Sequence, residues 1–108
     1  MRFLFYVIAD GTEHDAPIVM VAIDAFNDKL QEGGHRIVAC GVGAPNTAIT
    51  IDNRRGQAEV VTAPFVDTKE FLSGFWIIEA SGPEQARELA IEASQCCDRK
   101  IEVRPLLG

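Results

Sequence analysis

His14 and Asp15 are the pair whose side chains are best suited to move a proton. An imidazole titrates near neutrality, and a neighbouring carboxylate can orient it as a general base. The other reading of the same pair is an exposed loop histidine beside an aspartate that caps a helix. Asp67, Lys69 and Glu70 form a second polar group. They either line the mouth of a cavity, with Lys69 attracting an anionic ligand and Asp67 joining the catalytic set, or Lys69 and Glu70 pair with Arg104 or Glu102 across a dimer. Glu102 and Arg104 alternate with Ile101 and Val103 and so share one face of a strand, where the Arg guanidinium suits bidentate contact with the carboxylate of a protein acid or of a bound ligand. Thr62, Phe65 and Trp76, with Tyr6, are candidates for the wall of an apolar binding pocket; aromatic residues of this kind also serve as core or interface anchors. His35, which follows Gly33-Gly34, reads as a surface residue or a helix-end contact.

No cofactor or metal is expected from the motifs. Gly41-Val42-Gly43 is not followed by Lys-Ser/Thr or by a helix, and the chain has no Gly-x-Ser-x-Gly, zinc-ligand spacing or dinucleotide fingerprint. The three cysteines, Cys40, Cys96 and Cys97, are odd in number with two adjacent, which is no disulfide framework and fits a reducing cytoplasm.

The elements that must position these residues follow from periodicity. Arg2 to Ala9 predicts a first strand, closed by the polar turn at Asp10-Gly11. With no small-residue cleavage site, this run reads as a strand rather than a signal peptide. Val19, Ala22, Ile23, Phe26 and Leu30 make the apolar stripe of a helix, with Asp24, Asn27, Asp28 and Gln31 on its other side, ending at Gly33-Gly34. A strand is expected over Arg36 to Val42. A hairpin follows, Thr47 to Asp52 with Gln57 to Thr62, turning at Asn53-Arg54-Arg55-Gly56. Phe65 to Leu72 reads as an irregular loop or one helical turn, and Gly74 to Ala80 as a strand. Ser81-Gly82-Pro83-Glu84 fits a capping box ahead of a second helix whose buried stripe is Ala86, Leu89, Ala90 and Ala93. Lys100 to Leu106 is the closing strand. Without the hairpin the order is βαββαβ, which predicts an α+β, ferredoxin-like domain with both helices on one sheet face.

The 108 residues suit a single domain, spanning 1 to 108, and 47% of them are hydrophobic, enough for a core. A net charge of -6 argues against nucleic acid, which needs clustered Lys and Arg, and no apolar run approaches membrane-spanning length. The strands carry more apolar surface than two helices can cover. In the first, Phe3, Phe5 and Val7 oppose Leu4, Tyr6 and Ile8; Phe75 and Ile77 likewise oppose Trp76 and Ile78. A second apolar face predicts either a homodimer closed sheet against sheet or a hairpin folded over that face.

Thr62-Ala63-Pro64-Phe65-Val66-Asp67-Thr68-Lys69-Glu70, then Ser73-Gly74-Phe75 and Ile101-Glu102-Val103-Arg104-Pro105, resemble the YCII-related family, in particular its DGPF branch. There an Asp-Gly-Pro-Phe tetrapeptide leads into a Glu-Thr-Lys-Glu motif, a Gly-aromatic strand and a terminal Glu-Val-Arg-Pro. With the first strand and Pro45-Asn46-Thr47-Ala48, the resemblance takes in nearly the whole chain. It implies a dimeric α/β barrel of ferredoxin-like subunits among small bacterial proteins, mostly without an assigned reaction and some linked to sigma factors. A few relatives resemble dehydrochlorinases or other enzymes acting on ring-derived small molecules. This chain has Thr62 and Ala63 in place of Asp and Gly, Asp67 in place of Glu, and Cys40 where many members carry Glu. Two functional expectations follow. One is a small-molecule ligand bound in a cleft between sheet and helices, with cofactor-independent proton-transfer or lyase-type chemistry. The other is a catalytically degenerate regulatory or accessory module with a protein partner such as a sigma factor.

Overall fold

The computed structural model describes residues 1–13 and 16–108; the expectations for His14 and Asp15 lie outside the described residues. Strand β1 (Arg2–Ala9) leads to helix α1 (Pro17–Glu32) and strand β2 (Arg36–Gly41). A short pair, β3 (Thr50–Asp52) and β4 (Glu59–Val61), precedes β5 (Phe71–Glu79), helix α2 (Pro83–Cys97) and β6 (Lys100–Pro105). The main sheet runs β2-β5-β1-β6, every neighbouring pair antiparallel, which is the ferredoxin-like α+β arrangement.

Alternation along the strands decides what the helices cover. Phe3, Phe5, Val7 and Ala9 of β1 are buried, as are Trp76 and Ile78 of β5. Phe26 and Leu30 of α1 and the Ala86, Leu89, Ala90, Ala93 and Cys97 stripe of α2 close over them. Phe26 meets Trp76 edge to face, with ring centroids 5.5 Å apart. The intervening residues Leu4, Tyr6, Phe75 and Ile77 stand on the opposite face and are only half-buried.

The helix ends are chemically specified. Gly34, at φ +74°, ends α1 in a Schellman motif: the His35 N–H reaches the Leu30 carbonyl and the Gly34 N–H that of Gln31. The His35 ring then meets the Glu79 carbonyl at 2.8 Å, fixing the exit of α1 to the end of β5. At α2 the expected box is displaced by one residue. Gly82 takes the cap position, and it is Gln85 whose Oε1 accepts from the Ser81 N–H at 2.7 Å. Helix α1 has Ala16 at its cap position, without a side-chain cap.

The hairpin and β5 differ in extent from expectation. The hairpin strands are three residues each, because Arg55 and Ala58 take positive φ and widen the turn. Strand β5 begins at Phe71, its early residues being held by β1. The hairpin does not lie over the open sheet face: β3 and β4 pair with each other and make at most marginal contact with the other elements.

Candidate functional site

The end of the sheet where β1 and β2 finish and β5 begins carries the cleft with the best chemical equipment. Here Val7 pairs with Gly74, and Gly74 with Gly41. Two glycines side by side leave the helix-facing surface without side chains, and a cleft of about 390 Å³ opens above them. The two are not equivalent. A Cβ on Gly74 would come within 3.0 Å of the Cys40 carbonyl oxygen, whereas a Cβ on Gly41 would enter open space. Gly74 permits the close approach of β5 to β2, and Gly41 leaves the cleft empty.

Ser73 is the extra residue of a bulge, since Val7 pairs with Gly74 but Ile8 with Leu72. Its hydroxyl donates to the Val7 carbonyl at 3.2 Å. The helical wall is formed by Ile23 and Asn27, and the far side by Cys97 and Arg99. Asn27 Oδ1 accepts from Trp76 Nε1 at 2.7 Å, so the one indole donor in the chain is satisfied and its ring is fixed against the cleft. Arg99 Nη1 donates to the Cys97 carbonyl at 3.2 Å and brings a cation to the rim. Burial pushes the Cys97 thiol above its ordinary range, and burial together with Cys97 pushes Cys96 up to about 11. Both are neutral thiols at physiological pH, not thiolate nucleophiles. Among the described residues, those lining the cleft include no carboxylate and no imidazole, and no group of His, Cys, Asp or Glu gathers as a metal site.

The loop after β1 is ordered by its own carboxylates. Glu13 accepts from the backbone N–H groups of Asp10 (3.0 Å) and Gly11 (3.1 Å), and Asp10 accepts from both the hydroxyl and the N–H of Thr12. These hydrogen bonds from Thr12 hold the Asp10 carboxyl below its usual range, with a smaller contribution from the charge of Lys69. Glu70, the neighbour of Lys69, pairs with Lys100 Nζ at 2.5 Å. Within the chain, Lys69 adds its charge near Asp10 and Glu70 pairs with Lys100.

The other predicted residues are dispersed. Arg104 sits opposite Leu4 on the open sheet face, bonded to Glu102 at 2.9 Å and placed 5.9 Å above the Tyr6 ring. Trp76 faces the helices, so one protomer cannot bring Trp76 and Arg104 to the same small ligand. Thr62 and Asp67 are exposed, and Phe65, at 87% exposure, stands on the hairpin side. Asn27, expected on the solvent side of α1, is half-buried. Its positions four after Ile23 and three before Leu30 were the available signal. The meeting of Gly41 with Gly74 carried no local signal, because strand pairing alone unites them, and Arg99 comes to them from the turn between α2 and β6.

A larger groove, about 590 Å³, lies between α2 and β6, lined by Phe3, Ala90, Ile91, Ile101 and Val103 among others. Its walls are mostly apolar, so it offers fewer groups to orient a ligand than the glycine-floored cleft. No helix among the described residues is long and apolar enough to cross a membrane.

Residues 1–107 match the YCII-related domain family. The chain is 30% identical over 90 residues to the uncharacterized protein R00369 of Rhizobium meliloti (strain 1021), covering 82% of this chain and 73% of that protein. It is also 27% identical over 90 residues to a stretch of WD repeat-containing protein 81 of Rattus norvegicus, 83% of this chain but 4% of that much longer protein. With the family matched along almost its whole length, the chain belongs to the YCII-related domain family.

Proposed function

We propose that this protein binds a small organic molecule in the glycine-floored cleft and does so as a cytoplasmic homodimer closed through the open sheet face, a dimeric α/β barrel. The observation that carries the binding reading is the Gly41–Gly74 floor beneath Trp76, Asn27 and Arg99. It is a concave space whose apolar wall is interrupted by polar groups able to orient a ligand, as small-molecule sites require. Asn27 and Ser73 offer polar contacts to a ligand, and Trp76 and Ile23 suit an apolar or ring portion. Where proton transfer accompanies binding, His14 with Asp15 is the candidate base and Lys69 steers the anion, while Asp67, Thr62 and Phe65 belong to the surrounding loops.

Exposed surface supports the dimer. The chain leaves 7633 Å² accessible, whereas a compact monomer of 11.8 kDa exposes roughly 5,900 Å². The excess, roughly 1,700 Å², exceeds the roughly 800 Å² that each partner contributes to a standard interface. On the bare face, Leu4, Tyr6, Phe75 and Ile77 form a continuous patch across β1 and β5.

A second reading has one specific observation in its favour. With neither carboxylate nor imidazole among the described cleft residues, the protein can instead act as a non-catalytic accessory module for another protein, a transcription factor being the candidate.

Gly41→Phe separates these readings, because Gly41 lines the cleft and a Cβ there meets nothing within 4 Å. In a thermal-shift screen of aromatic and aliphatic carboxylic acids, a ligand should raise the melting temperature of the parent by several degrees and leave Gly41→Phe unmoved. Equal shifts for both proteins, or none with any acid, would count against the cleft. Light scattering should return about twice 11.8 kDa.

A further inference from the structure

The β3–β4 hairpin is an arm without a seat in its own chain. A domain of this length has a radius of gyration of about 13 Å and, treated as a sphere, a diameter of about 34 Å. This one measures 15.9 Å, with a longest extent of 47 Å. A lone two-stranded hairpin is at best marginally stable in water, yet β3 and β4 draw little support from the sheet or the helices.

The two sides of the arm differ. In the pairing, Thr50 faces Val61, Ile51 faces Val60 and Asp52 faces Glu59. The side carrying Thr50, Asp52, Glu59 and Val61 is backed by Pro64 and Phe65, and Thr50 Oγ1 donates to the Ala63 carbonyl at 2.7 Å. By alternation the other side carries Ile49, Ile51 and Val60, which are 60%, 67% and 62% exposed. Three branched aliphatic side chains on one side of a thin projecting arm are poorly placed for water.

We infer that this arm is an exchange arm, whose Ile49–Ile51–Val60 side docks on a second copy of the same chain. The inference rests on the homodimer reading and extends it. In the proposed dimer the open sheet faces close on each other, and the same two-fold axis lets the arm of each copy lie on the other as well. An excess of roughly 1,700 Å² of exposed surface is large enough to include both contacts. The arm leaves the sheet between Gly41 and Phe71, at the cleft end. An exchanged arm therefore begins beside the cleft of its own protomer.

The test is sedimentation equilibrium of the full chain and of an Ile51→Lys, Val60→Glu double variant. These positions face each other across the hairpin, so the new charges attract and preserve the arm while removing its apolar side. The dimer dissociation constant should rise on the order of a hundredfold, with an unchanged far-ultraviolet circular dichroism spectrum. A variant that dimerises as tightly as the parent overturns the arm and leaves the dimer reading standing. A parent that stays monomeric at every concentration overturns both. A photo-crosslinking residue at position 51, in a mixture of isotope-labelled and unlabelled chains, should join labelled to unlabelled peptides. Crosslinks confined to one chain would overturn the exchange.

Discussion

The two faces of the sheet are made of the same strands and nearly the same residues, yet they do opposite things. Toward the helices, Phe3, Phe5, Trp76 and Ile78 are removed from water by α1 and α2. One residue along each strand, Leu4, Tyr6, Phe75 and Ile77 are only half-buried, with the Arg104 guanidinium over the Tyr6 ring and no helix above them. Hydrophobicity sets how much surface must be covered; connectivity sets what is available to cover it. The helix-facing side is a core, while the open side is the surface that the proposed dimer would cover.

Truncating a ring on each side probes that difference most strongly. Phe5, fully buried, should cost about 3–5 kcal/mol on Phe5→Ala in urea unfolding, whatever the protein concentration. Phe75→Ala should cost less in dilute solution and should remove the concentration dependence of the parent's melting temperature. Equal, concentration-independent losses would erase the distinction between the faces.

Next come the contacts that shape the cleft. Asn27→Leu leaves the buried Trp76 N–H without its acceptor and should destabilise by about 1–3 kcal/mol, with a shift in tryptophan emission. Gly74→Ala forces a methyl against the Cys40 carbonyl and should cost about 1–3 kcal/mol, whereas Gly41→Ala should stay within about 0.5 kcal/mol of the parent. A reversal of the two glycines would refute the tight floor at β5.

The thiols give the smallest effect and the finest contrast. Cys40 is exposed and Cys97 buried, so a thiol reagent should modify Cys40 first. Cys96 ionises near 11 in the fold against 9.0 ordinarily, so the unfolded chain loses that proton at lower pH. Its contribution to stability is complete below about pH 9 and disappears as pH climbs to about 11. Cys96→Ala should flatten that decline in unfolding midpoint; an unchanged slope would assign it to other groups.

The helix stripes, the apolarity of both sides of β1 and β5, and the βαββαβ order were legible because each depends on residues within a few positions of one another. So was the family, whose motifs are linear. The candidate site was legible only in part. Lys69 does come to the loop of Asp10, but Arg104 and Trp76 were separated by the two sides of the sheet, which a strand pattern cannot distinguish when both alternate sets are apolar. Asn27 was assigned to solvent because its polarity outweighed its position in the stripe.

From its own order of residues the chain determined which segments become strands and helices, and that two helices leave apolar surface over. Those outcomes follow from short-range spacing and from the balance of apolar area. Only the tertiary structure decided which alternate set the helices cover, that Gly41 meets Gly74 as a cleft floor, and that β3–β4 stands away from the sheet. Each is fixed by the register between strands distant along the chain, where a shift of one residue exchanges the two faces.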